Sequence, residues 1–498
     1  MKKIKSILIA NRGEIAIRII KTAQKMGIKT YCFQTRQEAN AIYLNWTDEI
    51  ITLPESSASS SIFLNAEAIV KYAVDLKIDA IHPGYGFLSE SPLLAELCEK
   101  SGITFIGPVA KNIAEMGDKN QARILAKRAG VPIVTGTKKP VSSLEECTNE
   151  IEKIGYPVIL KALAGGGGKG MRVVKNQQEL AMAYKMAVNE AKSAFGNAAM
   201  IIEKFIENPR HIEVQVLADK FGNAIHLFER ECSIQRNHQK LLEEAPSVAL
   251  DDNLREKITN DALNLTRLTN YSTLGTVEFL LDENGSYYFM EMNTRIQVEH
   301  PVTEAITGLD LVEWQIRTAI GEKLPFAQKD IHCNGAAIEF RVNAEDVQAG
   351  FTPNFGIIDE MNFPSYPGLR IDSGFVPGSV VPNAFDSLVA KLIVSGRNRK
   401  SVIEKSIQIM EHSRIDGIKT TIPFFKAILR DKDFVEGNFT TSFLEEMQTH
   451  IHREDFEEEA AAMIALQSYL NDLKKLNQET IKTETTTPWA TKMWNKLF

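Results

Sequence analysis

The sequence predicts a protein of several domains that combines α/β and α+β parts, and three observations support this fold class. The chain has 498 residues, which is too long for one hydrophobic core, so two to four domains are expected. Its N-terminal part alternates strand and helix patterns, as a parallel sheet with flanking helices does. The stretch 211–295 is rich in strand patterns, and short strands with Gly/Pro turns follow from 334 onward.

The first domain is expected at 1–115, where apolar runs of strand length alternate with amphipathic helical patterns. Its predicted elements, in chain order, are a strand at 6–10, a helix to about 25, a strand at 29–33, a helix at 64–76, a strand from 80, a helix to about 100 and a strand at 102–108. This order indicates a parallel sheet that is covered on both faces.

A central domain is expected at 116–333, and a C-terminal domain rich in short strands at 334–447. The central domain begins with a helix at 118–129, which Gly130 and Pro132 end. Its later predicted elements are strands and a helix to about 206, strands at 211–295 and a helical pattern at 301–321.

The segment 448–498 is predicted to be a helical and flexible C-terminal tail. Its apolar residues recur at spacings of three and four, which is typical of an amphipathic helix; they are Phe456, Ala460, Met463, Leu466, Leu470, Leu473 and Leu476. Two tryptophans follow a Thr-rich stretch near the end, which suggests a docking segment. Packing of the tail on its own domain is an equally open alternative.

Composition narrows the function class. The chain is 44% hydrophobic and 24% charged, with a formal charge of −7, as in an ordinary soluble enzyme. There is no basic excess that would indicate nucleic acid, and no apolar run reaches the roughly 18 residues of a membrane helix. The five cysteines are scattered and form no Cys-x-x-Cys pair, so neither zinc nor a disulfide framework is indicated. A cytoplasmic location is therefore expected.

The run 290–302, Met-Glu-Met-Asn-Thr-Arg-Ile-Gln-Val-Glu-His-Pro-Val, is the most informative part of the chain. It places a polar group at every second position, namely Glu291, Asn293, Arg295, Gln297 and Glu299. In an extended segment, alternate residues point to one face. Such a face is costly to bury unless a metal, an anion or both bind to it.

A hairpin is predicted to complete a metal site beside this run. Asn-Gly between two strand patterns is a strong hairpin signal. A two-residue loop at Asn284-Gly285 would place Glu278 opposite Glu291, with Asn293 two residues farther on the same face. Two carboxylates and an amide oxygen suit Mg²⁺ or Mn²⁺. A solvated strand pair is the alternative.

Phosphate binding is predicted at the glycine run 165–168. A strand that ends in Lys161 precedes it and another strand follows, which predicts a mobile lid rather than a Walker A loop. Backbone N–H groups of this glycine run could approach phosphates closely, because no side chain stands in the way. A phosphate would also explain an ammonium at the end of an apolar strand.

A second polar constellation lies at 230–240, where His238 and Lys240 are potential anion binders and a surface loop is the alternative. Nearby, His211 begins an alternating strand pattern and is either a ligand or a structural residue. Cys232 is expected to be a small packing residue rather than a reactive thiol.

Taken together, these motifs resemble the biotin carboxylase component of biotin-dependent carboxylases, in the ATP-grasp superfamily. The segments that carry the resemblance are Ala-Asn-Arg-Gly-Glu-Ile-Ala at 10–16, His-Pro-Gly-Tyr-Gly-Phe-Leu-Ser-Glu at 82–90, Met-Gly-Asp-Lys at 116–119, the glycine run, His-Gln-Lys at 238–240, the motif at 291–304, Glu-Phe-Arg-Val-Asn-Ala-Glu-Asp at 339–346 and Phe-Asp-Ser-Leu-Val-Ala-Lys at 385–391. The resemblance implies a Rossmann-like N-terminal domain, an ATP-grasp domain with a lid at about 133–205, and a C-terminal domain.

The resemblance also implies the reaction: ATP phosphorylates bicarbonate to carboxyphosphate, which carboxylates biotin. It assigns ATP contacts to Lys119, Lys161, Gly167, Gly168, Glu203, Lys204, Phe205, Ile206, His211, His238, Glu278 and Glu291. It assigns Mg²⁺ or Mn²⁺ to Glu278, Glu291 and Asn293, and bicarbonate to Lys240, Arg295, Gln297 and Val298. Glu299 would be the base that deprotonates bicarbonate, and Arg341 would stabilise the biotin enolate.

The expected partners follow from the same resemblance. The sequence has no Ala-Met-Lys-Met biotinylation motif, so biotin is expected on a separate biotin carboxyl carrier protein. A homodimer and a carboxyltransferase subunit are also expected, while the final acceptor stays open among acetyl-CoA, propionyl-CoA and pyruvate. The alternatives are another ATP-grasp carboxylate–amine ligase and a non-catalytic ATP-binding scaffold.

Overall fold

The computed structural model describes most of the chain apart from several short segments and much of the tail. The described residues are 3–53, 60–137, 139–162, 171–195, 199–237, 239–448 and 462–470. Three predicted site residues, Gly167, Gly168 and His238, lie outside them. Contacts divide the chain into two units, 1–441 and 442–498, and each is described by itself.

The first unit begins with a five-stranded sheet whose strand pairs are all parallel, which confirms the predicted α/β pattern. Its strands are β1 (Ser6–Ile9), β2 (Lys29–Gln34), β3 (Glu49–Thr52), β4 (Ala80–His82) and β5 (Thr104–Phe105), in the order β3-β2-β1-β4-β5. The helices are α1 (Gly13–Lys25), α2 (Ala66–Asp75), α3 (Pro92–Lys100) and α4 (Ala110–Gly117). The carboxyl end of β1 therefore delivers the chain directly to the start of α1.

A three-stranded antiparallel sheet follows, in the order β7-β6-β8. Its elements, with the helices around them, are α5 (Lys119–Arg128), α6 (Leu144–Ile154), β6 (Val158–Ala162), β7 (Met171–Val174), α7 (Gln177–Phe195) and β8 (Met200–Lys204). Strands lie on both sides of the glycine run, as predicted.

The largest sheet has eight strands, and all its pairs are antiparallel. Its strands are β9 (Arg210–Ala218), β10 (Ala224–Arg236), β11 (Gln239–Ala245), β12 (Thr273–Leu281), β13 (Tyr287–Asn293), β14 (Ala336–Asn343), β19 (Leu369–Ser373) and β21 (Leu388–Gly396). The order is β13-β12-β9-β10-β11-β14-β21-β19. Because β11 pairs with β14, this sheet continues through the change of sequence pattern at 334.

Shorter elements complete the first unit. The remaining strands are β15 (Glu345–Asp346), β16 (Thr352–Pro353), β17 (Gly356–Ile357), β18 (Glu360–Asn362), β20 (Val380–Val381) and β22 (Arg414–Asp416). The remaining helices are α8 (Asp252–Leu268), α9 (His300–Thr307), α10 (Leu311–Ala319), α11 (Arg399–His412), α12 (Ile422–Ile428) and α13 (Lys432–Glu436). Gly308, in the left-handed conformation with φ 73°, separates α9 from α10 where the sequence pattern suggested one helical stretch.

One apolar cluster joins the parallel sheet to the eight-stranded sheet. Ile7 of β1 and Ile19 of α1 lie in the same buried cluster as Leu217 of β9, Leu274 of β12 and Ile316 of α10. Burial of this shared surface stabilises both sheets together. The loops that carry the site are therefore fixed relative to each other.

The second unit contains α14 (Phe443–Gln448) and a helix at 462–470. The nine residues of the latter helix are exposed, including Met463, Leu466 and Leu470 of the predicted apolar stripe. Among the described residues, no helix combines the length and the apolar character needed to cross a membrane.

Candidate active site

The hairpin of β12 and β13 places Glu278 directly opposite Glu291, as predicted. The predicted two-residue loop is wrong, because the backbone N–H of Asp282 donates to the Ser286 carbonyl at 2.8 Å and encloses a three-residue turn. A bulge between Glu278 and Phe279 shifts the register back by one residue. The longer loop and the bulge shift the strand register by one residue in opposite directions, so Glu278 still lies opposite Glu291.

Glu278 is the centre of a buried polar cluster. Its Oε1 accepts hydrogen bonds from Asn293 Nδ2 at 2.7 Å, Gln297 Nε2 at 2.8 Å and Lys240 Nζ at 3.0 Å. His211 Nε2 lies 2.9 Å from its Oε2. Burial alone would raise the pKa of Glu278, but Lys240 and His211 hold it well below its usual range.

Glu291 is in the opposite electrostatic situation. Burial and the neighbouring Glu278 raise its pKa. A divalent cation would offset the repulsion that Glu278 exerts on Glu291, and the donors here are carboxylate and amide oxygens, which magnesium prefers. The residues therefore fit a magnesium site made of Glu278, Glu291 and Asn293.

The polar run does not continue as a strand beyond Asn293, so the expectation of one strand face is wrong for its second half. Strand β13 ends at Asn293, and the chain passes through a loop and turn into α9. The loop nevertheless keeps Arg295 close, because its Nη2 donates to Asn293 Oδ1 at 2.9 Å. Arg295 Nε also donates to Glu90 Oε2, at 3.0 Å, from the loop before α3.

Lys240 on β11 is surrounded by three carboxylates. Its Nζ donates to Glu213 at 2.6 Å, to Glu299 at 2.7 Å and to Glu278 at 3.0 Å. Burial would lower the pKa of this ammonium, but the three carboxylates raise it well above its usual range. Lys240 is therefore a permanent cation at the centre of the site.

Glu299, at the start of α9, lies between two cations. One carboxylate oxygen accepts from Lys240 at 2.7 Å, and the other accepts from Arg341 Nη2 at 2.9 Å. Burial alone would raise the pKa of Glu299, but Lys240, Arg341 and Arg230 hold it well below its usual range. Arg341 on β14 also forms an ion pair with Glu243 of β11. The resting carboxylate is thus ionised.

Three further residues hold this arrangement, and none of them was assigned a role from the sequence. Arg230, which is fully buried, donates to five side chains from three elements and the 297 turn: Glu213, Gln215, Thr276, Gln297 and Thr303. Glu213 lies two positions after His211 on β9, so strand alternation could have placed it on the same face. Glu90 could not have been inferred as a partner of Arg295, because they are distant in sequence.

A second group of predicted residues lies at the three-stranded sheet. Lys161 Nζ donates to Glu203 Oε2 at 2.6 Å, and Glu203 also pairs with Arg123. Burial, together with Lys119 and Arg123, lowers the pKa of Lys161 to about 8. An anion bound beside Lys161 would stabilise the charged form and raise this pKa.

The other predicted ATP contacts in this region are Lys204, the last residue of β8, and the two residues that follow it, Phe205 and Ile206. Lys204 Nζ donates to the carbonyls of Tyr156 at 2.6 Å and Gly155 at 3.3 Å, which turns its side chain toward the start of β6. Phe205 and Ile206 continue the chain after β8 toward the large sheet.

Cys232 is buried and burial raises its thiol pKa well above the usual range, so it packs as expected.

Three family matches cover nearly the whole first unit. Residues 3–113 match "Biotin carboxylase, N-terminal domain", residues 118–327 match "Carbamoyl-phosphate synthase L chain, ATP binding domain", and residues 339–446 match "Biotin carboxylase C-terminal domain". The chain is also 48% identical over 445 residues to the biotin carboxylase of Nostoc, covering 89% of this chain and 99% of that protein. The chain belongs to the biotin carboxylase family.

Other relatives of this family agree. The chain is 46% identical to the 2-oxoglutarate carboxylase small subunit of Hydrogenobacter thermophilus, over 93% of this chain and 98% of that protein. A crystal structure of the biotin carboxylase domain dimer of that carboxylase, with MgADP, ADP and bicarbonate, superposes with a TM-score of 0.84 at 47% identity, over 90% of this chain and 98% of that one. The Campylobacter jejuni biotin carboxylase structure gives a TM-score of 0.84 at 44% identity, over 89% and 99%.

As a member of the biotin carboxylase family, the chain is an ATP-dependent ligase that carboxylates biotin with bicarbonate. The ATP-binding match at 118–327 would by itself leave the type of ligase open. The two flanking biotin carboxylase matches favour this family over another ATP-grasp carboxylate–amine ligase.

Proposed function

We propose that the cluster around Lys240 and Glu299 binds and deprotonates bicarbonate, beside a nucleotide site that extends to the three-stranded sheet. The observation that carries this proposal is the Glu299 carboxylate, ionised and held between Lys240 at 2.7 Å and Arg341 at 2.9 Å. A base must be unprotonated when its substrate arrives, and a bound anion needs nearby cations. Both conditions hold here.

On the nucleotide side, the proposed ATP contacts are Lys119, Lys161, Gly167, Gly168, Glu203, Lys204, Phe205, Ile206, His211, His238, Glu278 and Glu291. Lys119 and Lys161 lie close enough for the charge of one to lower the pKa of the other, which suits a shared polyphosphate ligand. The Hydrogenobacter domain binds MgADP. We propose that Glu278, Glu291 and Asn293 hold Mg²⁺, or Mn²⁺ in its place, which neutralises charge during phosphoryl transfer.

On the bicarbonate side, Lys240, Arg295, Gln297 and the backbone of Val298 are the proposed ligands. The Hydrogenobacter domain binds bicarbonate, which supports an anion site in this fold. Glu299 would accept the bicarbonate proton, which makes the anion a better nucleophile toward the γ-phosphate. Enclosure of these groups keeps water away from a labile mixed anhydride.

Arg341 is the proposed stabiliser of the biotin enolate. Its side chain is 15% exposed, and the guanidinium already bridges Glu243 and Glu299. A fixed cation near the ureido oxygen would stabilise negative charge as biotin loses its N1′ proton. The proton acceptor and the enolate stabiliser are thus hydrogen-bonded to each other in the free protein.

For assembly, we propose that biotin arrives on a separate biotin carboxyl carrier protein and that a carboxyltransferase subunit completes the enzyme. Two relatives bear the names of single components of larger carboxylases, for 2-oxoglutarate and for pyruvate, which supports this role. A homodimer is proposed because the Hydrogenobacter domain is described as a dimer. We also propose the division 1–115, 116–333, 334–447 and 448–498 for the domains and tail, and a cytoplasmic location, which the five free cysteines favour.

The variant Glu299→Gln tests the proposal, because it keeps the shape of the side chain but removes its charge and basicity. We expect MgATP binding to stay within about twofold of wild type, while carboxylation of free biotin falls at least about 100-fold. Calorimetry measures binding, and bicarbonate-dependent ADP release measures turnover. Glu322→Gln, at a peripheral ion pair with Arg317, is the matched control and should change neither. Undiminished turnover in Glu299→Gln would remove Glu299 from its role.

A further inference from the structure

Lys391 is a fully buried lysine that contacts the turn before α9. It lies on β21, directly opposite Arg341 of β14. Its Nζ donates to the backbone carbonyl of Val298 at 2.8 Å. Val298 is the residue between Gln297 and Glu299, so this hydrogen bond holds the peptide that leads into the proposed base.

The same ammonium reaches the N-terminal part of the chain. Lys391 Nζ lies 3.0 Å from Glu14 Oε1, at the start of α1. Glu14 also accepts a short hydrogen bond from the Tyr85 hydroxyl, from the loop after β4. Lys391 therefore joins three separate segments: the start of α1, the turn at Val298 and strand β21.

Burying an ammonium is expensive, but Glu14, Glu339 and Asp372 more than offset burial and raise the pKa of Lys391. A lysine that only joined α1 to β21 would need no hydrogen bond to the Val298 carbonyl, which lies in the turn of the proposed bicarbonate ligands. The Val298 carbonyl belongs to the peptide that precedes Glu299, so its direction sets where the Glu299 side chain begins. A shift of about 1 Å at such a point can cost about 100-fold in rate.

We propose that Lys391 is a positioning residue for biotin carboxylation. It fixes the Val298–Glu299 peptide, so that the Glu299 carboxylate stays aligned with Lys240 and Arg341. Because Lys391 also pairs with Glu14 at the start of α1, the alignment depends on how α1 packs. The inference rests on the proposed role of Gln297 to Glu299 in bicarbonate binding.

Lys391→Met is the first test variant, and Lys391→Met combined with Glu14→Gln is the second. The single variant leaves the Glu14 carboxylate buried without its cation, which destabilises the fold. The double variant removes both charges of this pair, so its thermal midpoint should recover part of the loss; Glu339 and Asp372, which also interact with Lys391, remain without its charge. In both variants the Val298 carbonyl loses its donor. We therefore expect kcat for free biotin to fall about 100-fold even where stability recovers.

The KM for MgATP distinguishes misalignment of Glu299 from a general disruption of the structure. Three of the proposed nucleotide contacts, Lys161, Glu203 and Lys204, lie on β6 and β8, in a different sheet from Lys391 on β21, so we expect this KM to change by less than about twofold. Lys405→Met is the matched control, because Lys405 Nζ also donates to a backbone carbonyl, that of Ser395, at 2.8 Å. It should keep kcat within about twofold.

Two outcomes would overturn the inference. One is a stable double variant with wild-type kcat, and the other is a KM for MgATP that rises in step with the loss of kcat. Glu299→Gln, measured in parallel, separates this inference from the proposed function. If kcat falls in Glu299→Gln but not in the double variant, only the positioning role of Lys391 is refuted. Full turnover in Glu299→Gln refutes the proposed base, and with it any positioning role for Lys391 at this turn.

Discussion

Raising the pH through about 8 should weaken nucleotide binding through Lys161. Burial and the neighbours Lys119 and Arg123 lower the pKa of Lys161 to about 8, from an ordinary value of about 10.4. The Glu203 carboxylate at 2.6 Å does not reverse this shift, because it is shared with Arg123. The charged form, which binds phosphate, is thus present below about pH 8 and is lost above it.

The size of the effect follows from this pKa. At about pH 9 only about a tenth of the free protein would carry a charged Lys161, which by itself predicts a tenfold weaker affinity than at about pH 7. The Lys161 side chain is 38% exposed, so water screens part of the shift. We therefore expect about a fivefold loss, with ATP already fully ionised over most of this range.

Calorimetry in two buffers of different ionisation enthalpy measures the accompanying proton. Near pH 8, binding should take up a few tenths of a proton per nucleotide, because the phosphates restore the charge of Lys161. In Lys161→Arg the charge is permanent, so the proton uptake and the slope above about pH 8 should both disappear. A flat affinity between about pH 7 and 9 in the wild type, or an unchanged slope in the arginine variant, would refute the reasoning.

Three further predictions concern residues around the cluster. Glu291→Gln should raise the Mg²⁺ concentration needed for half-maximal activity about tenfold, because one carboxylate ligand becomes neutral; titration of Mg²⁺ at saturating ATP measures this. Glu90→Gln should raise the KM for bicarbonate a few-fold and leave the KM for MgATP unchanged, because Arg295 loses a charged partner at 3.0 Å; steady-state kinetics separates the two constants. Arg230→Met should lower the free energy of unfolding by about 3–5 kcal/mol, because five buried acceptors lose their donor and Glu213 keeps only Lys240 as a cationic partner; denaturant unfolding measures the loss, and the surface change Lys329→Met is its control.

The fold was largely predictable where the signal is local. Alternating apolar runs predict the parallel sheet, and the helix after Asp118 begins where this residue caps it, accepting from the N–H groups of Asn120 and Gln121. The acidic pair at Glu278 and Glu291 was predicted correctly, although from a loop one residue too short. A bulge has no clear mark in the sequence, so its compensating shift could not be foreseen.

The site was predictable as a set of residues but not as a set of contacts. Arg295 and Glu299 were expected on one strand face, yet a loop and a helix start bring them to the cluster. Their partners, such as Glu90 and Arg341, come from segments that are adjacent only after the sheets have packed together. Strand alternation on β9 could have added Glu213, but the pairing of β9 with β10 is tertiary information.

If bicarbonate binds Lys240 and the metal binds Glu278 as proposed, the pairing of Lys240 predicts that bicarbonate and the metal nucleotide bind cooperatively. An ammonium has three N–H donors, and in the free protein Glu213, Glu278 and Glu299 accept all three. Bicarbonate can therefore gain a hydrogen bond from Lys240 only if one carboxylate gives one up. Glu278 holds the longest of the three contacts, at 3.0 Å, and is the carboxylate that a metal ion would draw away.

Occupation of the metal site should accordingly free a donor of Lys240 for bicarbonate. We expect the KM for bicarbonate to fall several-fold as free Mg²⁺ is raised at constant MgATP. The reason is that coupling is reciprocal: the factor by which one ligand raises the affinity for the second is the factor by which the second raises the affinity for the first. Glu278→Gln weakens the hold on Lys240 permanently, so in this variant the KM for bicarbonate should depend less on Mg²⁺. If the KM is independent of Mg²⁺ in the wild type, then Glu278 does not exchange between Lys240 and the metal, and another carboxylate must yield to the substrate.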